Sequence, residues 1–176
     1  MKTTISLFAL LFSVGLFNLN AQTAKDQKII DDAENAKQTL LDANVGLDSF
    51  FEKSAGYVLF PNVGKGGFII GGASGNGVVY DGGEMVGMAN LKKLNVGFQA
   101  GGQAIIEVIF FETYVDLERF TKGTFEFAAE ASAVALKSGV AANAKYKDGV
   151  AVFAMPKAGF MADASVGGQK FKFKPF

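Results

Sequence analysis

Nine of the 24 residues from Pro61 to Glu84 are glycine, and Lys65 stands between two of them. Glycine inside a helix costs about 1 kcal/mol relative to alanine, so no helix runs through such a stretch. Two uses remain: tight turns between short strands, or a loop that cradles a phosphate. A Walker loop needs a hydroxyl after its lysine, but Lys65 is followed by Gly66. A dinucleotide fingerprint needs a third glycine where Ile69 stands, and "GASGNG" has its glycines in the wrong order. The glycines are therefore read as serving turns and close strand packing, with Lys65 exposed at a turn. No nucleotide is expected.

The flanking texture agrees. "YVLFP", "GFIIGG", "GVVYDGG" and "EMVGMA" are short β-prone runs bounded by Gly, Pro and Asp-Gly. A longer pair of runs follows, broken at Gly101-Gly102. "TFEFAAEAS" alternates with period two, and Asp148-Gly149 is a hairpin signal. Ahead of the strands, Ile29, Ala33, Ala36, Leu40 and Ala43 fall on one helical face that Leu47 and Phe50 continue. Gly46 ends that helix, and Ser49 with Glu52 is spaced as a capping box for a second. Thr113 and Asp116 cap a further short helix that Gly123 stops. The expected fold is α+β: N-terminal amphipathic helices packed on a mostly antiparallel sheet of short strands, open or closed into a barrel, with one inserted helix.

The first 21 residues, with Lys2, an apolar run from Ile5 to Phe17 and Ala21 at the exit, have the layout of a secretory signal peptide. The expectation is export to a bacterial periplasm or outer-membrane surface. Residues 22–56 then form the helical segment and 57–176 the β-rich remainder of one domain. With no cysteine there is no disulfide, thiolate metal site or lipoprotein anchor. With no histidine, Ser/His/Asp catalysis and His-ligated metals are excluded. No cofactor or metal is expected. The charge is balanced but uneven: four lysines against seven acids over residues 24–56, seven lysines against two acids over 137–176.

"SAGYVLFPNVGKGGFIIGGASGNGVVY" resembles the hallmark block of the SYLF-domain family, with its Phe-Pro strand end, Gly-Lys-Gly-Gly-Phe turn and Gly-x-Gly before the next strand. "LNVGFQAGGQ" and "MPKAGFMADASVGGQKF" resemble the family's following and closing blocks. The likeness runs from Lys25 to Phe173, with one departure: "MANLK" stands where many members carry Trp-Ser-x-Pro. The resemblance implies a non-enzymatic, lipid-binding module. Eukaryotic members bind phosphoinositides and some bind actin, which is set aside for an exported bacterial protein. Their membrane contact is ascribed to a basic amphipathic N-terminal helix, whereas the helix here is acidic.

An anionic lipid surface rewards clustered lysines by about 1 kcal/mol each. In "QKFKFKPF", Lys170, Lys172 and Lys174 share one strand face and Phe171 and Phe173 the other. The same layout describes an ordinary edge strand that lysine guards against aggregation. Lys92 and Lys93, beside "MVGMANL", and Lys65 are the other candidates. The expected partner is an anionic phospholipid or membrane surface, not nucleic acid. Competing readings are a small outer-membrane β-barrel, a structural envelope protein, and an enzyme using Glu107, Glu112, Asp116 and Glu118, which surface helix charges explain as well.

Overall fold

A computed structural model describes residues 23–43, 46–64, 73–93, 104–123, 134–135, 144–157 and 169–176. Among them, helix α1 (Ala24–Ala43) buries Ile30, Ala33, Ala36 and Leu40. Ile30 is the buried member of the Ile29-Ile30 pair, and Ala43 is exposed, so the face is rotated slightly from the expected one. Thr23 starts the helix: its Oγ1 accepts from the Asp26 N–H at 3.2 Å, and the Asp26 carboxylate accepts from the Thr23 N–H at 3.3 Å.

Helix α2 (Asp48–Lys53) departs from expectation. Leu47 takes the cap position in helical geometry, no side chain caps the helix, and the Ser49 hydroxyl donates to the Gly46 carbonyl instead. The helix starts one residue before Ser49, which places that residue inside the first turn where it cannot cap. Its anchor is Phe50, set against Phe110 and Phe153 at 5.4 and 5.0 Å between ring centroids.

Among the described residues, seven strands form one sheet: β1 (Gly56–Val63), β2 (Ala73–Asp81), β3 (Glu84–Lys93), β4 (Ile105–Phe111), β5 (Val134–Ala135), β6 (Val150–Pro156) and β7 (Gln169–Pro175). The order is β5-β6-β4-β1-β2-β3-β7, antiparallel throughout except for the short β5–β6 pair. The expected runs at "GFIIGG", "LNVGFQAGG" and most of "TFEFAAEASAVALKSG" lie outside the described residues. Asp148 and Gly149 make the hairpin turn, both at positive φ, closed by a Lys147–Val150 bridge. Between β4 and β5 lies helix α3 (Tyr114–Thr121), with the expected Thr113–Asp116 capping box formed. The Thr113 Oγ1 also donates to the Asp116 carboxylate at 2.6 Å.

Both sheet faces are buried, by different partners. On the outer face, α1 lies over β1 and β2, and with Phe50 it covers Tyr57, Leu59, Val78, Tyr80, Val108, Phe110 and Phe153. On the inner face Val58, Phe60, Val79, Leu91, Ile109 and Phe111 pack with Leu117 and Phe120 of α3. Each fully buried side chain of this size contributes roughly 1.5–3 kcal/mol. The sheet curls hard around the inner face. β4 and β7 are four places apart, about 19 Å in a flat sheet at 4.7–4.9 Å per strand. Yet Gln169 Nε2 on β7 donates to Glu107 Oε2 on β4 at 3.1 Å, and the Phe171 ring reaches Phe60. α3 helps close the gap, with Phe120 ring-to-ring against both Phe111 and Phe171. Among the described residues the sheet remains open, with β5 and β7 at its edges.

Candidate functional site: a lysine row on the edge strand

β7 alternates as its sequence dictates. Phe171 and Phe173 turn inward onto the core around Phe60, while Lys170, Lys172 and Lys174 are exposed on the outer face. Its pairing with β3 sets Lys92 opposite Lys170, Asn90 opposite Lys172 and Met88 opposite Lys174. The Phe176 N–H donates to the Val86 carbonyl at 3.3 Å. Counting in twos from that bond, Lys92 and Lys170 form a hydrogen-bonded pair, with Cα atoms about 5.5 Å apart. Two clusters far apart in sequence thus become one row of four cations. Lys93 pairs through its backbone with Gln169, and its side chain, like the whole of Lys65, lies outside the described residues.

Like charges directly opposite across two strands destabilise the pair. Among the described residues the ion pairs are Lys28–Asp32, Arg119–Asp116 and Lys122–Glu118, and none reaches the row. The neighbouring strand adds polar groups: Asn90 Nδ2 donates to Asn76 Oδ1 at 3.0 Å, and Ser74 stands opposite Lys92. The row is beyond the strands that α1 covers, so it is open to solvent. Chemically it can attract phosphate groups by charge and by N–H donors.

Three of the four acidic residues considered for catalysis are engaged separately, and the fourth, Glu112, is exposed. Asp116 caps α3 and Glu118 pairs with Lys122 at 2.7 Å. Glu107 is buried, 2% exposed, and takes its hydrogen bond from Gln169. That pair is the feature sequence reasoning missed. A glutamate inside the apolar run "AIIEVIFF" was its signal, since a carboxylate in such a strand must be buried with a partner.

The outer surface also bears on the barrel reading. A transmembrane strand needs roughly 9 to 11 residues, alternate ones forming a lipid-facing apolar row. Here the outer faces of β1 and β2 are under α1, and those of β3 and β7 carry asparagine and lysine. No helix among the described residues is long and apolar enough to cross a membrane.

Comparison with known proteins agrees with the SYLF resemblance. The model of the Ysc84 family, described as Las17-binding protein actin regulator, matches residues 92–174. That span runs from Lys92 to Lys174 and so includes the whole row, while the glycine-rich block at residues 54–80 lies before it. Beta cell expansion factor A of Aeromonas veronii is similar, 28% identical over 158 residues, covering 87% of this chain and 59% of that protein. The chain thus spans about three fifths of that relative's length.

Proposed function

We propose, from the premise that residues 92–174 carry the SYLF-family domain, that this is an exported, non-enzymatic protein that binds phospholipid at a bacterial membrane surface. The family implies lipid binding in general. The finer reading, an anionic phospholipid surface met by Lys92, Lys170, Lys172 and Lys174, rests on one observation: the β3–β7 register gathers the four lysines into one row, and among the described residues no ion pair involves any of them. A surface of phosphates attracts such a row of like charges. Lys65 and Lys93 stay in the proposal as family-motif and neighbouring cations. Export is supported by the signal-like residues 1–21 and would be checked by the mass of the mature N-terminus and release on osmotic shock.

The N-terminal helix is not part of this contact. Its apolar face is already spent on β1 and β2, and its exposed side carries Asp31, Glu34 and Asp42. The edge position of β7 favours a second reading, in which the lysines only guard the strand against pairing with another chain. Co-sedimentation with phosphatidylglycerol vesicles separates the two. Changing Lys170, Lys172 and Lys174 together to Gln should weaken binding at least about tenfold, at up to about 1 kcal/mol per lysine. Binding of the native chain should also fall with salt. Unchanged binding in the variant, or increased aggregation alone, favours the guard.

A further inference from the structure

The large apolar side chains exposed among the described residues are Met85, Tyr114, Val115 and Phe176, and all four sit at one end of the molecule. Tyr114 and Val115 begin α3, at the C-terminal end of β4; Met85 follows the β2–β3 turn; Phe176 closes β7. Tyr114 is 66% and Val115 64% exposed. Both line a groove of about 400 Å³ that Val86, Leu117 and the acidic Asp81 and Glu118 also wall, and Val86 is the residue to which Phe176 is hydrogen-bonded. The lysine row runs into this patch, for Lys174 is two residues from Phe176 and stands opposite Met88.

A cation row that ends in a tip of tyrosine, valine, methionine and phenylalanine is charged for an anionic surface and apolar where it first arrives. Tyrosine suits the boundary, with a ring for the apolar side and a hydroxyl for the wet one. We infer that the molecule meets the bilayer tip first, with Tyr114 and Val115 entering the headgroup layer and β7 rising away from it. This rests on the membrane reading above and adds the orientation. It also ranks the lysines. Successive row positions are about 6.7 Å apart along a strand, so Lys174 lies close to the phosphates and Lys170 about 13 Å further out. That exceeds the Debye length of about 8 Å at physiological salt. The exposed Asp81, Glu84 and Glu112 at the tip, with Glu118 in the groove wall, oppose an anionic membrane, whereas they would attract a basic protein segment.

The chain has no tryptophan, so Tyr114→Trp supplies a single reporter at an exposed site. With phosphatidylcholine/phosphatidylglycerol vesicles, its emission should shift to the blue and be quenched by lipids brominated on the acyl chain. Lys174→Gln should lower vesicle affinity about fivefold and Lys170→Gln less than twofold. Glu84→Gln should raise it. Vesicle binding with unshifted, unquenched emission, or equal losses at Lys174 and Lys170, overturns the tip-first orientation while leaving the lipid reading standing. No vesicle binding by the native chain overturns both. Weaker vesicle binding in Glu84→Gln likewise overturns the orientation, because neutralising a carboxylate held against anionic headgroups should strengthen binding.

Discussion

At Gly149 the backbone has φ +80°, and a Cβ added there would land on the Asp116 carboxylate. That carboxylate is occupied: it accepts from the Thr113 N–H at 3.2 Å and the Thr113 hydroxyl at 2.6 Å, with Arg119 at 3.5 Å. A methyl at residue 149 therefore strains the turn and displaces the cap of α3 together. Gly149→Ala should cost about 2–4 kcal/mol, the sum of backbone strain and a lost cap, read from the urea midpoint. Gly83→Ala is the control, at φ +91° with open space around the new Cβ, and should lose only about 1 kcal/mol. Equal losses would mean that the Asp116 contact is immaterial. Both halves of this contact, the Thr113–Asp116 box and the Asp148-Gly149 turn, are legible in the sequence as local patterns. Their meeting is not, because nothing local says that the hairpin folds back onto the helix cap. In the glycine-rich block, Gly77 shows the expected backbone use: its missing Cβ faces the Leu59 carbonyl and the Phe60 ring on β1.

β7 shows what an element adds to its residues. Its alternation of lysine and phenylalanine is plain in the sequence, so its two faces are too. Its neighbour is not, since a tail strand could equally pair with β6, and only pairing with β3 brings Lys92 to Lys170. Register against a distant strand is set by the whole core, which is why the site was legible as two clusters and not as one row. The expected capping box at Ser49 failed for a related reason: the burial of Leu47 and Phe50 fixes where α2 starts and overrides the cap spacing. β7 is also tied across the curled sheet by Gln169, 7% exposed, to buried Glu107. Gln169→Leu removes a donor to a buried carboxylate and should cost roughly 1–3 kcal/mol. Hydrogen exchange should then show β7 amides opening before those of β1. A variant as stable as the native chain would mean that the phenylalanines alone hold the strand.

At the scale of the molecule, α1 and the sheet are joined over an aromatic layer whose phenols make the junction sensitive to alkali. Tyr57 and Tyr80 stack at 4.5 Å, and Lys37 of α1 donates to the Tyr57 hydroxyl at 3.2 Å. Burial, and after it the neighbouring Tyr80, raises the Tyr57 phenol strongly. Burial and then Glu34 of α1 push Tyr80 up to about 12, and burial and then Glu112 do the same for Tyr146. In each case the folded state holds its proton more tightly than the unfolded chain, whose phenols titrate near the ordinary value of about 10. Between those two values the unfolded chain binds fewer protons, so unfolding free energy falls as pH rises. The contribution is complete below about pH 10 and is lost progressively toward pH 12. Urea midpoints should hold steady from pH 8 to 9.5 as far as these phenols are concerned and then drop, and Tyr80→Phe should flatten part of that drop. Because Tyr57 and Tyr80 lie between α1 and the strands it covers, the first amides to lose protection in alkali should be those of α1, with β4 and β6 following. Simultaneous loss everywhere would show that helix and sheet unfold as one unit, and an unchanged slope in Tyr80→Phe would place the alkaline sensitivity outside this layer.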